Sequence, residues 1–327
     1  MIVTVTLNPS LDRTMDVAVL RAGQVNRALS THLHPGGKGV NVTRALLANG
    51  VPSRTVLPVA GPEGDQLVQL LTAEGVAAVV VPVSGRTRSN VTIADRDGTV
   101  TKVNEPGTPL APADLEEVLD RALTEAPAGS WLVLCGSLPP GTPADQYATM
   151  TRRATAHGVR VAVDTSGEAL RRAVDAAPDL VKPNAEELAE AVGRPLRSRA
   201  EVVEAAHELR RRGVRRVLVS LGGAGALLVD DDGVTLGESV AVAPRSTVGA
   251  GDAFLAGFLA AEESTTAPAG PERSAASLRQ ALAWGAAAVQ LPGSQMPGPG
   301  DIDLASASLL RGPSVGARLV EPLVGTG

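Results

Sequence analysis

Trp131-Leu132-Val133-Leu134-Cys135 is followed at intervals by three runs of the same kind, Arg160-Val161-Ala162-Val163, Leu180-Val181-Lys182 and Val217-Leu218-Val219-Ser220. Between them lie Ala-, Leu-, Glu- and Arg-rich segments with the period of a helix. Short apolar runs alternating with helical segments point to a parallel sheet covered by helices, the α/β class. In that architecture ligands bind beyond the carboxyl ends of the strands. Gly136-Ser137, Asp164, Asn184 and Ser220-Leu221-Gly222 all fall just after such runs, so the site loops are expected there.

Outward from this stretch the rhythm breaks twice. Asp16 to Leu33 and Asn90 to Val103 are rich in Val and Thr and poor in helical pattern, and the second turns at Asp97-Gly98, a hairpin signal. These segments read as a small β-lid over the sheet edge, with an outer face suited to pairing with the lid of a second copy. The stretch from Glu262 to Arg273 reads as a surface loop, and the chain from Pro292 onward is punctuated by Pro and Gly.

The bulk properties narrow the class further. At 327 residues the chain is long enough for two average domains or one large α/β domain. Its 44% hydrophobic content comes in short runs, far from the about 20 consecutive apolar residues of a membrane span. Ile2-Val3-Thr4-Val5-Thr6 after Met1 alternates like a strand and lacks the basic and apolar regions of a signal peptide, which favours a cytoplasmic protein. Cys135 is the single cysteine, and the four histidines form no cluster at metal-ligand spacing. A net charge of -5 argues against a nucleic-acid binder, though a local basic pocket can still hold a small anion.

Three constellations carry chemistry. Thr247-Val248-Gly249-Ala250-Gly251-Asp252 precedes a helical segment over Ala253 to Ala261. Glycines let the backbone approach an anion, and the first N–H groups of a helix point at it unpaired. Asp252 then faces that anion or simply caps the helix. Pro35-Gly36-Gly37-Lys38-Gly39-Val40-Asn41 leads into a second helix from about Val42 to Asn49 and is either another anion cradle or a turn packed on a strand; Gly39 stands where a Walker A loop has Ser or Thr. Arg86-Thr87-Arg88-Ser89-Asn90 sets two guanidinium groups at the mouth of the lid, as a phosphate clamp or as solvated charges.

Taken together, these residues resemble the ribokinase-like family of carbohydrate kinases, in its phosphofructokinase B branch. The likeness covers nearly the whole chain up to about Gly293. It rests on six motifs in family order: Thr6-Leu7-Asn8-Pro9-Ser10-Leu11-Asp12, the glycine-rich run at 36 to 41, Gly136-Ser137-Leu138-Pro139-Pro140-Gly141, Lys182-Pro183-Asn184 with Glu187, Ser220-Leu221-Gly222, and the run at 247 to 252. The resemblance implies a three-layer α/β/α sandwich with a mostly parallel central sheet and a small β-sheet lid. It would be one kinase domain over 1–327, with lid segments at about 12–33 and 86–107 and a peripheral C-terminal segment at 294–327.

The resemblance also implies roles. Asp252 matches the catalytic base, and the backbone of Gly249, Ala250 and Gly251 the anion hole. Asp12, Gly37 and Asn41 match residues that orient the sugar; Lys38 and Arg88 should bind the substrate's own phosphate, with Asn90 and Ser137 nearby. Asn184, Ser220, Gly222, Gly225 and Thr247, with Gly249 and Gly251, match the ATP side. Asn184 and Glu187 match a motif that organises magnesium, usually through water. The helical segment Leu278 to Val289 should border the adenine, or be an ordinary core helix. Lys38, the Arg86 to Val91 run and the Gly23-Gln24-Val25-Asn26 turn are most similar to members that phosphorylate fructose 1-phosphate. Tagatose 6-phosphate and fructose 6-phosphate are the alternative substrates, and a non-catalytic sugar-phosphate-binding regulator is the remote one.

Overall fold

The apolar runs form strands and the segments between them helices. The computed structural model describes residues 1–240, 245–264, 270–310 and 323. Its strands are β1 (Ile2–Thr6), β2 (Ser10–Val17), β3 (Ser30–Gly36), β4 (Ser53–Val59), β5 (Ala78–Pro82), β6 (Arg88–Asp95), β7 (Val100–Asn104), β8 (Trp131–Cys135), β9 (Arg160–Asp164), β10 (Leu180–Val181), β11 (Arg216–Ser220), β12 (Ala226–Asp230), β13 (Gly233–Ser239) and β14 (Ala307–Leu310). The helices are α1 (Lys38–Ala48), α2 (Gly61–Ala73), α3 (Pro112–Glu125), α4 (Gln146–Ala156), α5 (Gly167–Val174), α6 (Ala185–Val192), α7 (Arg199–Arg211), α8 (Ala250–Ser264) and α9 (Pro271–Val289).

Ten of the described strands form one sheet in the order β14-β13-β12-β11-β10-β9-β8-β1-β4-β5. The pairings from β5 across to β11 are parallel, and those from β11 to β14 are antiparallel. Every residue of β8 is buried, because successive side chains leave opposite faces and both faces are covered. Trp131, Val133 and Cys135 enter one core with Phe254, Phe258 and Trp284, under α1, α8 and α9. Leu132 and Leu134 enter the other with Leu119, Tyr147 and Met150, under α3 to α7. The result is the expected three-layer α/β/α sandwich. Trp131 is fully buried at its centre, and truncating it to alanine would cost about 3–5 kcal/mol.

The two segments that interrupt the α/β rhythm form a second sheet, ordered β3-β2-β6-β7. β2 and β6 run parallel, and the outer pairs are antiparallel. The hairpin between β6 and β7 turns at Gly98, as Asp97-Gly98 indicates. The lid departs from its expected outline between Val17 and Ser30, where the chain loops without a strand.

Other boundaries differ more. α1 begins at Lys38 rather than Val42, because Gly39 fits inside a helix pressed against β1, where a Cβ would lie 2.5 Å from Thr6 Oγ1. α8 and α9 likewise begin earlier than their apolar segments. The surface loop expected from Glu262 to Arg273 is helical at both ends; residues 265–269 lie outside the described residues. Glu262 is buried, paired with Arg216 at 2.8 Å and Arg273 at 3.2 Å and accepting a bond from Ser277 Oγ at 2.8 Å. A carboxylate so satisfied stays in the helix. Near the C-terminus, Ala307–Leu310 forms β14 on the sheet edge; Leu323 is the one described residue beyond it.

Candidate active site

The site loops lie beyond the carboxyl ends of the parallel strands, with Asp164 ending β9 and Ser220 ending β11. The turn Thr247 to Gly249 enters α8, and Gly249 takes φ 76°, where a side chain is unfavourable. A Cβ there would also lie 2.6 Å from Met296 Cε. Ala250 N–H turns back to the Thr247 carbonyl at 3.4 Å and Asp252 N–H to that of Gly249 at 3.1 Å, which leaves the Gly249 and Gly251 N–H groups as the donors for the site. Asp252 sits in that turn, 7% exposed, and its Oδ2 accepts a hydrogen bond from Asn41 Nδ2 at 2.9 Å. Burial, and next the Asp164 carboxylate, raise the Asp252 pKa to about 6, against the opposing effects of Lys38, Asn41 and Lys182.

Beneath Asp252 lies an ionic floor. Asp164 ends β9 with a side chain closed to solvent; its Oδ1 is 2.8 Å from Lys38 Nζ and its Oδ2 is 3.1 Å from Lys182 Nζ. Burial alone would raise the Asp164 pKa, but the two ammonium groups outweigh it and hold the carboxylate ionised. Burial likewise opposes the charged form of Lys38, and Asp164, Glu187 and Asp252 together overcome it. Glu187 Oε1 lies 3.8 Å from Lys38 Nζ. Lys182 Nζ also lies 3.7 Å from the point where Gly251 would carry a Cβ, so a cation faces the α8 cradle.

The lid supplies the opposite wall. Asp12 on β2 accepts from Ser10 Oγ at 2.7 Å and from Asn90 Nδ2 at 2.9 Å, both on Oδ1. Gly36 packs on this carboxylate so closely that a Cβ would fall within 2.5 Å of it. Arg88 is half-buried beside Asp12, with one bond to the Glu105 carbonyl at 3.2 Å. Its Nε, and Asn90 Oδ1, are buried with no protein partner among the described residues. Burial lowers the Arg88 pKa, and Asp12 and Glu105 counter it. Ser137 Oγ accepts from Asn8 Nδ2 at 3.3 Å.

A cleft of about 670 Å³ adjoins the cradle. Ser220, Gly222, Gly225, Thr247 and Gly251 line its polar end, and Phe254, Leu282, Gly285, Ala286 and Val289 its apolar wall. This is the volume and lining of a small-molecule site. Asn184 lies next to Ser220 through an isolated parallel bridge. Asn184 Oδ1 accepts from Glu187 N at 2.8 Å while Glu187 Oε2 accepts from Asn184 N at 2.9 Å, a capping box that starts α6.

Comparison with known proteins gives the family. Residues 5–299 match the model of the pfkB family carbohydrate kinases. The chain belongs to that family. A 1-phosphofructokinase of Rhodobacter capsulatus is 42% identical over 262 residues, 79% of this chain and 82% of that one. Phosphofructokinase-2 from Escherichia coli superposes with a TM-score of 0.85 at 32% identity, covering 92% of this chain and 96% of that one. A ribokinase from Thermotoga maritima shares the fold at a TM-score of 0.72 and 22% identity, over 92% and 97% of the two chains.

In this pfkB kinase the residues expected around the base and the sugar fall into two groups. Asp252, Asn41 and Lys38, with the Gly249-Ala250-Gly251 turn, converge at the floor. Asp12, Asn90 and Arg88 converge at the lid, and Gly37 starts α1 between the two at φ 118°. Lys38 is drawn to Asp164 and Glu187 rather than to Arg88. Arg86 is exposed and paired with Glu63, so the lid mouth offers one inward guanidinium instead of two. Sequence reasoning gave no role to Asp164 or Lys182, although both stood at strand ends, and overlooked Arg44 and Met296. No described helix is long and apolar enough to cross a membrane.

Proposed function

We propose that this kinase transfers the γ-phosphoryl group of ATP to fructose 1-phosphate, giving fructose 1,6-bisphosphate. The observation that carries the reading is the meeting of Asp252, the α8 N-terminus and two lysines between the cleft and the Asp12–Arg88 wall. The 1-phosphofructokinase of Rhodobacter capsulatus supports the choice of sugar.

In this mechanism ATP lies in the cleft, its base against Leu282, Ala286 and Val289 and its phosphates toward Ser220, Gly222, Gly225, Thr247 and the α8 turn. The N–H groups of Gly249 and Gly251, already aimed, hold the oxygens of the transferring group, and Lys182 adds charge below them. Asp252 takes the proton of the attacking hydroxyl as the alkoxide forms, which requires its ionised state. Asp12, fixed by Ser10 and Asn90, accepts from other sugar hydroxyls, with Gly37 and Asn41 completing the wall. Arg88 from the lid and Lys38 from the floor bracket the sugar's own phosphate, with Asn90 and Ser137 at its edge. The buried, unpartnered Nε of Arg88 suits such an acceptor. Glu187, braced by Asn184, would hold magnesium through water, and the ion, when bound, would neutralise charge on the ATP phosphates. A reaction fed by ATP suits the cytoplasm.

The lid also suits a homodimer. Val25, Leu29, Val100 and Val103 expose apolar side chains on and beside it. Light scattering of the protein should give a dimer and Val103→Asp a monomer; a wild-type monomer removes this part. The activity is tested by a coupled assay with fructose 1-phosphate, fructose 6-phosphate and tagatose 6-phosphate. Fructose 1-phosphate should have the highest kcat/KM. A higher value for a 6-phosphate reassigns the substrate, and no ATP consumption with any of them favours a sugar-phosphate-binding regulator.

A further inference from the structure

Arg44 is 7% exposed on α1, one turn after Asn41. A buried guanidinium is retained only where its donors are matched. Here they tie three segments together. Nε and Nη2 hold the Glu74 carboxylate at the end of α2, at 2.6 and 3.1 Å. Nη1 donates to Asn41 Oδ1 at 3.1 Å and to the Ser294 carbonyl at 3.0 Å.

The bond to Asn41 bears on the reaction. Asn41 is 6% exposed and reaches Asp252 through Nδ2, but a carboxamide turned by 180° fills the same space with its oxygen toward the carboxylate. Arginine has donors and no acceptor, so it admits only the orientation with Oδ1 toward itself. The alternative would set two donors face to face on one side and two acceptors on the other. The Ser294 bond acts on the turn that precedes the base. With Asn49 Nδ2, which donates to the Pro297 carbonyl at 2.8 Å, it holds the segment that carries Met296 against Gly249.

We infer that Arg44, anchored by Glu74, is a positioning residue for Asp252, fixing the Asn41 carboxamide that bonds it and the Met296 segment that packs on the Gly249 turn before it. The inference rests on Asp252 being the base. Around Asp252 stand Lys38 and Asn41 of α1, Asp164 of β9 and Lys182 after β10; around Arg44 stand Glu74 and, from β3, His34. None of these others needs to change for the effect to appear.

The test compares Arg44→Met, Arg44→Lys and Glu74→Gln, each alone and with Asn41→Ala, beside Asp252→Asn. Arg44→Met should lower kcat by about ten- to a hundredfold, leave both KM values within about threefold, and move the acid limb of the kcat profile to higher pH, since an Asn41 free to turn no longer favours the carboxylate. Arg44→Lys and Glu74→Gln should show smaller changes of the same kind. In the Asn41→Ala background the Arg44 substitutions should no longer move the acid limb and should keep only the part of the kcat loss that comes through the Met296 segment. If Arg44→Met does not fold, the two milder variants decide by the same criteria. Unmoved acid limbs, or an acid limb that Arg44→Met still moves when Asn41 is alanine, overturn the inference while Asp252→Asn remains inactive. An active Asp252→Asn overturns the base itself.

Discussion

Helices α1 and α8 begin alike, each after a glycine of positive φ, and hold opposite charges in their first turns. Asp252 obeys the helix dipole, which favours an anion at the N-terminus; Lys38 opposes it. Yet the Asp252 carboxylate is the destabilised charge, its pKa raised, and the Lys38 ammonium the stabilised one. Burial and the pattern of neighbours outweigh the dipole, which contributes only about 0.3–1 kcal/mol. Burial raises the Asp252 pKa most; Asp164 adds to that shift by repulsion and attracts Lys38 at 2.8 Å. One helix start is thus tuned to release charge and the other to keep it.

The largest test of this contrast is Asp252→Asn. Asparagine caps a helix as well as aspartate but accepts no proton, so turnover should fall by about 1,000- to 10,000-fold while both Michaelis constants stay within severalfold. An active variant would reduce the α8 start to a cap. Next is Lys38→Met, which leaves Asp164 with Lys182 alone and removes a charge that favours ionised Asp252. Turnover at neutral pH should fall by about 100-fold and the acid limb should rise in pH; an unmoved limb would separate Lys38 from the base.

The pH dependence sharpens the same point. Activity of the unmodified protein should drop with unit slope below pH of about 6, as Asp252 takes up a proton. The stability sign is the reverse of that for a salt-bridged carboxylate. The folded state holds this proton more tightly than the unfolded chain, so the stabilisation is full below the ordinary value of 3.8 and is lost as pH rises through about 6. Above that, the ionised group costs on the order of 1–3 kcal/mol. Asp252→Asn should therefore melt higher than the unmodified protein at pH 7.5 and at the same temperature near pH 3.5; a lower melting point at pH 7.5 would contradict the raised pKa.

The smallest effects lie at the lid, where Arg88 and Arg86 make a second, milder contrast. Arg88→Ala should raise the Michaelis constant for the sugar phosphate by about ten- to a hundredfold, as for loss of about 1.5–3 kcal/mol from a charged hydrogen bond, with little change in turnover. Arg86, exposed and paired with Glu63, should be replaceable by alanine with less than a twofold change in either constant. Equal effects at the two positions would return both guanidinium groups to the site.

Features that depend on neighbours in sequence were legible in it. Trp131 to Cys135 and its three successors declared a covered parallel sheet because a strand buried on both faces needs an uninterrupted apolar run. Asp97-Gly98 marked its hairpin, and the glycines before Asp252 marked a helix start open to an anion. Arg44, by contrast, carried no signal, since nothing local tells a solvated arginine from one that binds Asn41, Glu74 and Ser294. Glu262 misled for the same reason, polar in composition and buried against Arg216.

The sequence by itself determined the layers, the lid segments and the positions of the site loops, because strand period, turn chemistry and helix starts are written within a few residues. Only the tertiary structure decided which charges meet. Lys38 reaches Asp164 across 126 positions because α1 starts beyond β1 and the order β1-β8-β9 brings the end of β9 beside it. Electrostatic energy depends on distance in space and on exclusion of water, and strand order sets both.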